Sequence, residues 1–142
     1  MRQSREERAL GQLLRVANLR ADEQRAQLAQ LDDARRGAEN AIEWLNKAVA
    51  AEERGLAASP EAIGQFQRYL DGAELKRRAL ASTRDRLACE IEQMRTVVSE
   101  AAVEIKKLEH LLSLRAEAAA KLRLKSEGVL ADEAALLSRA RK

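Results

Sequence analysis

Two long stretches of heptad-spaced apolar residues, broken only around a single proline at Pro60, constrain this chain more than anything else in it. In the first, Leu14, Ala21, Leu28, Ile42, Val49 and Leu56 fall on a, and Leu10, Ala17, Leu31, Ala38 and Leu45 on d. The second runs from Ile63 on a and Phe66 on d through Leu70, Ala73, Leu80, Leu87, Ile91, Met94, Val98, Ala101, Ile105 and Leu108 to Leu112. Each run lasts about seven heptads, beyond the three or four that argue for a coiled coil. Ala, Leu, Glu, Arg, Lys and Gln dominate, and all are good helix formers.

The interruption carries stop and start chemistry. Gly55 lies near the end of the first run, and Ser59 is placed to cap a helix whose first turn holds Pro60 and Glu61. A connection this short makes the two helices antiparallel neighbours. The expectation is therefore an all-α fold, a long antiparallel two-helix coiled-coil hairpin whose second helix is longer than the first. As one coiled-coil domain over 1–142, it places helix 1 at about 4–56, the turn at 57–59 and helix 2 at about 60–138.

Seam layers can be enumerated from the pattern. The preferred register pairs Val49 with Phe66, Leu45 with Leu70, Ile42 with Ala73, Leu28 with Leu87, Ala21 with Met94, Ala17 with Val98, Leu14 with Ala101 and Leu10 with Ile105. Large residues then meet small ones in several layers. The register one heptad away sets Ala21 against Ala101, a thinly filled layer. Polar side chains interrupt the seam at Glu7, Gln24, Arg35, Glu52, Arg77, Arg84 and Arg115. Long side chains there snorkel to water and fix register at some cost in stability.

Composition excludes several functions. Net charge is +3, but residues 1–59 hold ten basic and ten acidic side chains, so no basic stripe marks a nucleic-acid binder. The surplus lies in the second helix, partly at Arg139, Arg141 and Lys142. His110 is the one histidine and Cys89 the one cysteine, both on outward c positions, so no catalytic pair, disulfide or zinc set can be assembled. The scattered glycines form no phosphate-cradling loop, and a two-helix rod offers no concave pocket. These features point to a non-enzyme without metal or cofactor. The charged start (Arg2, Arg5, Glu6, Glu7, Arg8) has no apolar run behind it, and a free outward thiol fits a reducing cytoplasm.

Binding features remain. Trp44, Phe66 and Tyr69 are the only aromatics, and all lie within about 20 Å of the turn. The preferred register brings Trp44 level with Asp71, close to Tyr69, as an exposed aromatic anchor. The first helix is exhausted near residue 111, leaving up to about 45 Å of second helix. Its stripe of Ala119, Leu122, Val129 and Leu136 has nothing in the chain to cover it. That segment either frays at Gly128, meets a partner or self-associates.

Several segments carry a family likeness. They are Leu13-Leu14-Arg15-Val16-Ala17-Asn18-Leu19-Arg20 in the first helix, Gln65-Phe66-Gln67-Arg68-Tyr69-Leu70 after the turn, Ile105-Lys106-Lys107-Leu108-Glu109-His110-Leu111, and Asp132-Glu133-Ala134 before a basic tail. Together they resemble the flagellar FliJ family, coiled-coil components of the bacterial flagellar type III export apparatus. The resemblance implies a hairpin stalk that enters the pore of the hexameric flagellar export ATPase and promotes ring assembly. It further implies contact with the cytoplasmic domain of the export gate protein, escort of export chaperones, and a cytoplasmic location at the inner face of the inner membrane. Transferred residue by residue, Phe66, Tyr69 and Leu70 become gate-contact candidates, with Trp44 joined to them by register. Lys121, Leu122, Arg123, Lys125, Val129 and Leu136 become ATPase-pore candidates. An injectisome-type stalk or chaperone, or a generic coiled-coil adaptor, is the alternative.

Overall fold

The computed structural model of the protein describes residues 4–141. Arg2 and Lys142, counted above among the charged termini, lie outside the described residues. Two α-helices account for nearly all of it: α1 (Arg5–Arg54) and α2 (Pro60–Ala140), the second longer. The fold is the all-α two-helix hairpin expected from the heptads. Two compact units divide it, one over Asp22–Ser99 and containing the turn, the other combining Met1–Ala21 with Glu100–Lys142.

Both helices begin on serine caps. The Ser4 hydroxyl accepts the Glu7 backbone N–H at 3.1 Å, and the Ser59 hydroxyl accepts that of Ala62 at 3.1 Å. Each satisfies a donor that the first helical turn leaves without a partner. Acidic Glu6, Glu7 and Glu61 in those first turns face the positive end of the helix dipole. α1 stops at Arg54, slightly before the expected 56, and the connection is Gly55–Ser59. No glycine among the described residues has positive φ, so Gly55 does not close α1 by a left-handed turn. Instead Gly55 N–H donates to the Ala51 carbonyl at 3.2 Å, and Leu56 N–H to that of Glu53 at 3.3 Å, a tightened last turn.

In the unit holding the turn, the buried residues are Ala38, Leu45, Ala73, Leu87 and Ile91, every one at an a or d position. In the other unit they are Ala21 and Ile105, again seam positions. The two ends of the seam near the turn depart from expectation. Ile63 is 52% exposed, and Leu56 and Glu52 are exposed as well.

These departures have a common cause, because the register is the one a heptad away from the preferred one. Glu6 and Arg115 form an ion pair between the two helices, whereas the preferred register would have set Glu6 level with Glu109. Within the turn-bearing unit, Leu28 and Asp32 share a cavity with Ile91 and Arg95, and Leu56 shares one with Phe66. Pairing of this kind sets Leu31 opposite Ile91 and Leu28 opposite Met94, where the preferred register faced Ile91 with Gln24. It leaves Ile63 level with the connection rather than with α1, so nothing covers it. The thin Ala21–Ala101 layer is not a void. Ala21 is 1% exposed, the most enclosed residue of the seam, because small side chains let the backbones approach.

Ion pairs three or four residues apart run along both helices, some on the outer faces and some at the edge of the seam. Asp22–Arg25, Asp32–Arg35, Asp32–Arg36, Glu43–Lys47, Glu74–Arg77, Glu74–Arg78 and Glu92–Arg95 all place the acid toward the helix N-terminus. That is the orientation the dipole favours, while Arg35–Glu39 and Arg86–Glu90 run the other way.

Candidate functional site

Two surfaces carry the residues singled out in the sequence. The first lies by the turn. Phe66 occupies its d position, half-buried, and its ring stacks on Tyr69 one turn later, centroids 6.4 Å apart and planes 25° from parallel. The two rings help line an open groove of about 410 Å³ with Glu52, Leu56, Ala62 and Gln65. Leu70 is half-buried in the seam. Trp44 is 71% exposed but does not join this cluster. In the observed register it lies level with Arg78, about 13 Å along the axis from Tyr69. The register preferred from the sequence would bring the two rings together, and the observed one separates them.

The second surface is the far part of α2. The helix runs unbroken through Gly128 to Ala140, so the glycine lies in regular helix. Leu122, Val129 and Leu136 are 69%, 55% and 64% exposed. Leu124, Leu130 and Leu137 are exposed too, and Ala119 is half-buried. Lys121 and Lys125 flank Leu122 and Leu124 in an open apolar hollow. Arg123 lies between them in sequence. Six large aliphatic side chains on one uncovered helix are more than a solvated surface requires.

One feature escaped the heptad reading. In the unit that contains it, Leu13 and Leu111 on g, with Val16 and Leu114 on c, are all exposed on the same flank of the helix pair. Counting a and d alone passes over such residues, whereas apolar side chains recurring at c and g mark a second stripe.

The polar interruptions cluster in the turn-bearing unit. Asp32 accepts a hydrogen bond from Arg35 at 2.8 Å and pairs with Arg36 at 3.0 Å. The Arg35 hydrogen bond is the main reason its carboxyl titrates below the usual 3.8, with Arg36, Arg35 and Arg95 adding charge attraction against the opposing effect of desolvation. The same bond raises Arg35. Yet Arg35 Nε, Arg77 Nε and Gln24 Oε1 are buried without a hydrogen-bond partner. Those seam positions are the weakest layers of the unit.

Among the described residues no cluster of His, Cys, Asp and Glu could hold a metal ion, and no helix is long and apolar enough to cross a membrane. No family model, curated protein or solved structure matches this chain. What the geometry shows is an uncovered aliphatic surface on an extended helix and, separately, an aromatic groove by a turn.

Proposed function

We propose that this chain is a non-enzymatic stalk of the bacterial flagellar type III export apparatus, promoting assembly of the export ATPase ring and coupling it to the export gate. The observation that carries the reading is the uncovered aliphatic and basic face of α2, with Leu122, Val129 and Leu136 exposed beside Lys121 and Lys125. A helix that leaves the hairpin with such a face suits insertion into a ring whose lumen offers apolar and acidic walls. The likeness of the quoted segments to the FliJ family supplies the partner. The Phe66–Tyr69 groove is then the gate-facing surface, Leu70 supports it from the seam, and Trp44 forms a separate contact on α1. Escort of export chaperones and a place at the cytoplasmic face of the inner membrane belong to the same proposal.

The test is ATP hydrolysis by the flagellar export ATPase of the source organism, with and without this protein, with ring formation followed by electron microscopy. Stimulation with rings, lost in a Leu122→Asp/Val129→Asp variant that remains helical, supports the stalk. Absence of both binding and stimulation at saturating protein rejects it and leaves a coiled-coil adaptor or an injectisome-type component.

A further inference from the structure

We infer that the uncovered face of α2 also binds the same face of a second copy of this chain, the two helices running antiparallel about a two-fold axis between Ser126 and Val129. The inference does not depend on the export reading. It starts from the far part of α2, where Leu122, Val129 and Leu136 are exposed among the described residues. There the seam phase continues, with Ala119, Ser126 and Glu133 on a and Leu122, Val129 and Leu136 on d. A helix presenting a and d residues of its own accepts another that does the same.

Charge selects the occupant and its direction. Along this face a basic block, Lys121 to Lys125, is followed by an acidic block, Glu127 to Glu133. A parallel second copy in register would set like charges against like. An antiparallel copy about the stated axis sets Ala119 against Leu136, Ser126 against Val129 and Leu122 against Glu133. It also sets Lys125 beside Asp132 of the second copy along the shared g flank, and Arg123 beside Glu133 of the second copy. Two-fold symmetry repeats both pairs, so four opposite-charge contacts form across one short seam. The seam spans fewer than three heptads, so association should be micromolar rather than tight.

The experiment is sedimentation of the purified full chain, without any partner, from about 5 to 500 μM, a range that brackets micromolar affinity. Dimers are expected to accumulate across it. Asp132→Lys/Glu133→Lys replaces the acidic partners of both contacts with basic ones, and Arg123→Glu/Lys125→Glu replaces the basic partners with acidic ones. Each should weaken self-association by roughly tenfold or more. An equimolar mixture of the two should form heterodimers at least as well as the original chain. All these positions are exposed, and circular dichroism at each step checks that the helix is kept. A chain that stays monomeric throughout overturns the inference, as do variants that still self-associate normally or a mixture that fails to recover association.

Discussion

The register can be tested by a covalent bond. With Cys89→Ser removing the native thiol, Ala21→Cys and Ala101→Cys place two cysteines in the observed small-residue layer, where Ala21 is 1% exposed. Replacing Ala by Cys adds one sulfur per side, and closely approaching backbones suit a disulfide's short Cα separation. The bond would close a loop of about 80 residues, for which chain entropy gives an upper value of about 4.5 kcal/mol. Engineered bonds commonly deliver less, so about 2–4 kcal/mol is expected. For 142 residues the unfolding entropy is roughly 0.3 kcal/mol per degree, which converts this to a rise in Tm of about 7–13 °C over the reduced form. The comparison variant is Leu14→Cys/Ala101→Cys, which joins residues paired in the other register. Here Leu14 lies level with Leu108, about 10 Å along the axis from Ala101, too far to bridge. Oxidation, mobility on non-reducing gels and melting at 222 nm read the result. Ready closure and stabilisation of the Leu14 pair, with failure of the Ala21 pair, would refute the register.

Other substitutions probe other parts of the molecule. Arg77→Leu removes a buried Nε that lacks a partner and adds apolar cover opposite Leu45, at the loss of an exposed ion pair to Glu74. It should raise stability by about 1–2 kcal/mol in urea unfolding, and an unchanged or lower midpoint would contradict the account of the seam. Gly128→Ala meets nothing within 4 Å in open helix, so it should stabilise the far part of α2 by about 0.5–1 kcal/mol and slow its amide exchange. Asp32 titrates below its ordinary 3.8, so its contribution is complete above that value and is lost as pH falls through the lower folded one. Asp32→Asn should therefore flatten the dependence of Tm on pH below about 4, and an unaltered acid slope would show that the Arg35 contact is not the source.

The sequence displayed helix identity, the serine start of α2, and the seam positions, because heptad spacing and capping are local properties. Every buried residue among those described was already on a or d. Register was less legible. Two alignments one heptad apart fill a and d equally often, and the choice rested on an Ala21–Ala101 layer that counting residue volumes treats as empty. Backbones that approach more closely where both partners are alanine remove that objection, and the Glu6–Arg115 pair adds a charge match at the open end. The Trp44–Tyr69 juxtaposition depends on register, whereas neither of the two registers covers the exposed Leu122, Val129 and Leu136 face.

The short connection also sets the order in which the hairpin can form. Leu56 and Phe66 meet across the Gly55–Ser59 turn after closing a loop of about ten residues, an event on the scale of 10–100 ns. Bringing Glu6 to Arg115 directly from an open chain would close a loop about ten times longer, with roughly 2 kcal/mol more entropy lost. Productive assembly therefore begins beside Ser59 and proceeds away from it. Weakening the Ser59 cap or Phe66 should slow folding, whereas weakening Leu10 or Leu112 should leave that rate nearly unchanged and hasten unfolding.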